Sequence, residues 1–185
     1  WETRIDKKYR ERGPRFVADW QGKPGTFFVC DGINPRPIAS IAAAGIPKEE
    51  LVKFKDVHHR DLRAGGYDPV ERLKDQAIDG VSGEVLYATY AMQLYQMQDA
   101  GLQEAAFHTY NEWMVELCSH APDKLKGLAL ISVYNVDNAV KALRHWHSRG
   151  LVGAMIANVL DKTAVARGSG TSISSAAVVP NFCFM

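Results

Sequence analysis

The sequence predicts an α/β fold organised on a parallel sheet or barrel, and three observations predict it. Residues 67–158 alternate helical and strand-like segments in succession, which is the rhythm of repeated βα units. Two apolar runs, 128–133 and 151–156, are continuous rather than alternating, as in strands covered on both faces. The segments between strands are long enough for a helix to cross back over the sheet, so parallel strands with right-handed crossovers are expected.

The first helix of this region carries its own punctuation. Asp68 stands at the N-cap, Pro69 at the first helical position and Glu71 where a capping box would reach back. Gly80 supplies a left-handed stop, and Val70, Leu73, Ala77 and Ile78 fall roughly on one expected core face. Glu84-Val85-Leu86-Tyr87 follows as a short strand. From 102 to 118, Leu102, Ala105, Ala106, Tyr110, Trp113, Met114 and Leu117 recur at helical spacing, and the helix is expected to end near Ala121-Pro122. The strand 128–133 comes next. Asn135 or Asp137 then caps a helix with Val140, Leu143 and Trp146 on its stripe, Gly150 closes it, and 151–156 is the third strand.

Upstream, residues 1–15 mix six basic residues with Glu2, Asp6 and Glu11, which predicts a solvated surface helix in preference to a basic anchor. Thr26 to Cys30 pairs in an expected hairpin with Phe16 to Trp20, across a turn at Gln21-Gly22-Lys23-Pro24-Gly25. Residues 34–66 have no sustained period and read as a surface excursion of the kind that shapes a pocket mouth. The chain therefore divides into a lead-in at 1–66, a βα core at 67–158 and an irregular or foreign tail at 159–185.

With 185 residues, 46% hydrophobic and 23% charged, the chain can bury a core. A net charge of +1 argues against nucleic acid as a partner, and no apolar run is long enough to span a bilayer. Cys30, Cys118 and Cys183 have no metal-binding spacing and read as reduced thiols of a cytoplasmic protein, Cys118 as a packing residue. The chain opens at Trp1 without a signal peptide, which predicts further sequence upstream.

Histidine is where chemistry could lie. His58 and His59 are neighbours whose side chains point apart on an extended chain. His108 reads as a surface or boundary residue, and His120 as a helix C-terminal charge favoured by the dipole. His145 and His147 have a metal-like spacing, but in a helix residues two apart diverge by about 200°, so they are not read as joint ligands. No dinucleotide fingerprint, phosphate loop or nucleophile elbow occurs, and Arg167-Gly168-Ser169-Gly170-Thr171 reads as a loop.

The central stretch resembles the amidohydrolase-related family, the metal-dependent TIM-barrel hydrolases and decarboxylases that include aminocarboxymuconate semialdehyde decarboxylase. The likeness rests on Gly66-Tyr67-Asp68-Pro69 with Arg72-Leu73, Asp79-Gly80-Val81, Glu84-Val85-Leu86-Tyr87, Tyr110-Asn111-Glu112-Trp113 and Ala121-Pro122-Asp123-Lys124-Leu125. Trp1-Glu2 with Arg4, and Pro35-Arg36-Pro37-Ile38, resemble the family's lead-in. The resemblance implies a partial TIM (β/α)8 barrel, incomplete at both ends, whose strand C-terminal ends face the pocket. Those ends lie near Tyr87 to Tyr90, Val133 to Asn135 and Ala157 to Asn158, making Tyr87, Tyr90 and Asn135 the substrate-pocket candidates.

The family's divalent metal, usually zinc, would need ligands placed before Trp1 and beyond Asn158, so no metal ligand or catalytic residue is assigned to this chain. The expected function is that of a fragment of a metal-dependent hydrolase or carboxy-lyase acting on a small carboxylated, amide or ester substrate, inactive as it stands. The alternative is a non-catalytic α/β interaction module, and an open part-barrel favours self-association. Residues 169–177 depart from the family pattern, consistent with a disordered extension or with a change of reading frame near Asp161.

Overall fold

The computed structural model describes residues 1–43, 45–51, 56–157 and 176–179. The expectations for Asn158, Asp161, the loop 167–171 and Cys183 lie outside the described residues. The chain forms two compact units, Trp1–Val81 and Ser82–Met185.

The first unit is organised on a three-stranded antiparallel sheet, β1 (Arg15–Ala18), β2 (Thr26–Cys30) and β3 (Ile33–Pro37), in the order β1-β2-β3. The expected hairpin is β1 and β2, with Phe16 opposite Phe28. All of β2 is buried, and Phe28 packs between Phe16 and Trp1 with ring centroids 5.6 and 5.9 Å away. Strand β3 falls in the stretch read as an unstructured excursion. It carries Pro35 and Pro37, which cannot donate to a ladder and are accommodated because β3 is the edge strand. Residues 1–15 likewise differ from the expected surface helix, forming turns and a short 3₁₀ helix, Lys7–Tyr9. Arg10 donates to the Thr3 carbonyl and Arg15 to those of Glu11 and Gly13, holding the turns around the buried Ile5.

Helix α1 (Pro69–Asp79) is capped by Asp68, whose Oδ1 accepts from Val70 and Glu71 N–H at 2.8 and 3.1 Å. Gly80 ends it at φ +68°, the region that favours glycine. The capping box does not close as expected: Asp68 N–H donates to Ala64 O, and the Glu71 carboxylate pairs with Lys74 at 2.6 Å. The packed face also differs. Val70 and Ile78 are 53% and 75% exposed, whereas Gln76 is 5% exposed. The helix is turned toward the 3₁₀ turn Ala64–Gly66, with Arg72 donating to Gly65 O and Arg63 gripping Asp75 through two bonds of 2.9 and 2.6 Å.

The second unit carries a four-stranded sheet of order β4-β5-β6-β7, from β4 (Glu84–Leu86), β5 (Leu125–Leu130), β6 (Gly153–Ala157) and β7 (Ala176–Val179). β4, β5 and β6 run parallel, as the alternating pattern predicts. β7, in the stretch read as an irregular tail, pairs antiparallel with β6.

Helix α2 (Ala100–Ser119), capped by Asp99, packs on β5, burying Leu102, Ala106, Tyr110, Met114 and Leu117 of the expected stripe, whereas Ala105 and Trp113 are only half-buried at its margin. Its buried face is wider than that stripe and includes Gln103, Thr109 and Asn111. Helix α3 (Val136–Ser148) is capped by Asn135, buries Trp146 and leaves Val140 41% exposed, so Val140 lies off the core face. Gly127 of β5 is a packing requirement: a Cβ there would lie 2.6 Å from Met114 Cγ, and 2.9 Å from both Cys118 Sγ and Leu151 Cδ2.

Candidate functional site

Parallel βα units direct the loops that follow each strand to one edge of the sheet, where ligands of such folds sit. In the second unit the described part of that edge is formed by the segments after β4 and β5. After β4 the chain passes Tyr87 and enters a 3₁₀ segment, Tyr90–Gln96, which buries Ala91, Leu94 and Tyr95. The Tyr95 hydroxyl donates to Met155 O of β6 and accepts from Ile131 N–H, just beyond β5, at 3.3 Å. One phenol thus ties the segment after β4 to both neighbouring strands.

Two further residues hold the same edge. Gln103 of α2, 2% exposed, donates to Leu94 O at 2.9 Å and accepts from the Ser132 hydroxyl at 2.8 Å. Tyr134 donates to Met97 O at 2.6 Å. Deeper, the Asn111 side chain donates to Leu130 O at 2.9 Å and accepts from Leu130 N–H at 2.8 Å. The last β4–β5 pair is Leu86 with Gly127, so the Asn111 amide takes over the edge of β5 where β4 has left it. Burial pushes the Tyr95 hydroxyl well above its ordinary range, which keeps it protonated and able to donate.

The pocket candidates from sequence occupy this edge but do different things. Tyr87 is 52% exposed directly after β4, and Tyr90 is half-buried at the start of the 3₁₀ segment. Asn135 follows β5, and its Oδ1 accepts from Asn138 N–H at 2.9 Å as the cap of α3. Tyr95, Gln103, Asn111, Ser132 and Tyr134, which build the edge, are not among the sequence candidates.

The chemistry of this edge is positional. Ser132 donates to an amide oxygen rather than to a base, so its hydroxyl is held as a structural donor and is not activated. The described histidines do not fit a divalent ion. His58 and Asp61 close a reciprocal cap, His59 packs between Phe16 and Tyr67, and His120 lies 3.1 Å from Glu116 O. His108 and His145 meet Trp146 edge-on, at 5.1 and 4.6 Å, and His147 is exposed in the last turn of α3. Among the described residues no three His, Cys, Asp or Glu side chains converge as a metal-binding group. No helix among them is long and apolar enough to cross a membrane.

No protein-family model and no curated protein gives a significant match to the sequence. Among solved structures, the chain is similar to amidohydrolase map2389c of Mycobacterium avium subsp. paratuberculosis K-10, with TM-score 0.57 and 16% identity, covering 81% of this chain and 43% of that one. It also aligns with 2,6-dihydroxybenzoate decarboxylase from Rhizobium, with TM-score 0.40 and 25% identity over 45% of this chain and 26% of that one. The resemblance carried by the sequence therefore has a structural counterpart: this chain has the fold of a stretch of an amidohydrolase, and it spans less than half of that protein's length.

Proposed function

We propose that this chain is the βα portion of a metal-dependent amidohydrolase-like enzyme, a hydrolase or carboxy-lyase for a small carboxylated, amide or ester substrate. In this reading it forms part of a TIM (β/α)8 barrel, incomplete at both ends. The observation that carries the reading is three parallel strands, β4, β5 and β6, in a chain similar in fold to an amidohydrolase over 81% of its own length. Tyr87, Tyr90 and Asn135 then line the substrate pocket at the strand ends. The divalent metal of the complete enzyme, zinc in most relatives of this kind, would supply Lewis-acid chemistry from ligands outside this chain. The buried thiols Cys30 and Cys118 fit a cytoplasmic setting, and the net charge of +1 fits an enzyme whose partner is a small molecule, not nucleic acid.

Metal analysis of the purified chain is the test. The expected result is substoichiometric zinc and no turnover, and one tightly held zinc per chain overturns the reading. A second reading, a non-catalytic α/β interaction module, is favoured by the internally paired Ser132–Gln103 contact, which spends its polar groups on structure. Size-exclusion chromatography separates the two. A compact monomer supports the module, whereas large or polydisperse species support an incomplete barrel that self-associates.

A further inference from the structure

The seam between α2 and α3 carries a cleft that shares Asn111 and Ser132 with the strand edge and opens onto residues the edge does not use. On α2, Glu104, Phe107, His108 and Asn111 lie at i, i+3, i+4 and i+7 and share one face. On α3, Asn138, Lys141, Ala142 and Trp146 form the opposing stripe, and the two stripes line a half-open cleft of about 220 Å³ that Leu130 and Ser132 also border. On α2 and α3 one turn further along, Arg149 donates to the Glu112 carboxylate through bonds of 3.1 and 3.2 Å, and nearer the cleft the His108 ring stands edge-on to Trp146. The small side chain of Ala142 leaves the middle of the seam unfilled.

We propose that this cleft binds a small zwitterion with an apolar body, of the chemical class of free apolar α-amino acids. Its volume of about 220 Å³ gives room for one ring or one branched aliphatic chain. It is smaller than the roughly 300–1,000 Å³ of drug-sized pockets. Phe107, Trp146 and Leu130 supply the apolar walls. The polar groups deeper in the cleft are already committed, Asn111 to Leu130 and Ser132 to Gln103.

Recognition therefore falls to Lys141, Glu104, the Asn138 side-chain amide and the His108 imidazole. Glu104 and Lys141 line the same cleft from facing helices and form no ion pair with each other or with another described residue. A simple anion would meet Lys141 but also the Glu104 carboxylate, and a simple cation would meet the reverse. A ligand with a carboxylate and an ammonium satisfies both poles at once.

Calorimetric titration of the full chain tests this, with L-phenylalanine and L-leucine as zwitterions against 3-phenylpropionate and phenethylamine as single-charge analogues. Saturable 1:1 binding of a zwitterion is expected, at least about tenfold tighter than either analogue, with a similar tenfold loss in Lys141→Met and in Glu104→Gln. Ala142→Leu fills the cleft and should abolish binding. Lys141 is exposed and Glu104 only half-buried, so the two charge variants should keep the native circular dichroism and decide the matter if Ala142→Leu does not fold. Absence of saturable zwitterion binding up to about 10 mM, equal binding of a single-charge analogue, or full binding by both charge variants overturns the proposal.

Discussion

The Asn111 side chain pairs with the Leu130 backbone as another strand would, giving its amide hydrogen to the carbonyl and taking the N–H in return at 2.9 and 2.8 Å. Asn111 is fully buried, so water cannot replace either bond. Asn111→Leu keeps the branched shape in a somewhat larger side chain and strands two backbone groups. We expect a loss of about 2–6 kcal/mol, from about 1–3 for each of the two buried groups left unpaired. Urea denaturation followed by circular dichroism measures it, and a loss below about 0.5 kcal/mol would show that the pair is dispensable.

Gly127 sits where α2 presses on β5, and any side chain there meets Met114, Cys118 and Leu151 together. Gly127→Ala should destabilise the second unit by about 1–3 kcal/mol through overpacking. In a Met114→Ala background, itself destabilised by the lost core side chain, Gly127→Ala should cost less than in the native chain, because Met114 Cγ is the nearest obstacle at 2.6 Å. A double-mutant cycle with no coupling would contradict this account of the glycine.

Tyr95→Phe removes a hydroxyl that serves Met155 and Ile131, and should cost about 1–2 kcal/mol. Burial raises the ionisation of both Tyr95 and Tyr110 above the ordinary value of 10. The folded chain thus holds these protons more tightly than the unfolded chain does. Their contribution is complete below pH 10 and declines as pH rises beyond it. Unfolding midpoints measured from pH 8 to 11 should fall at the alkaline end, less steeply in Tyr95→Phe. A flat profile would refute the linkage.

Cys30 is a buried thiol, and desolvation, helped by the nearby Asp31 charge, pushes it up to about 12. Cys118 is buried and raised by the same desolvation. In a Cys183→Ser background, both thiols should react with a disulfide reagent at pH 8 at least about tenfold more slowly in the native chain than in urea. Rapid native labelling of either would place it at the surface.

How much of this was legible follows from the range over which each signal acts. The Asp68 cap, the Gly80 stop and the parallel order of β4, β5 and β6 were readable because caps and periodicity are local or cumulative. The face of α1 was not, since Val70 and Ile78 suit a core stripe whereas Arg63, 12 residues before Asp75, turns the helix another way. β3 was hidden by Pro35 and Pro37, which demote any strand reading until its edge position is known. The strand-end network was the least visible. Gln103 and Asn111 look like solvent-facing polar residues of an amphipathic helix, and Tyr95 meets Met155 across 60 residues of sequence.

Ala176–Val179 lies along the free side of β6 in the reverse direction. The outward backbone donors and acceptors of β6 are therefore already spent on these four residues, and any other strand that would pair there must first evict them.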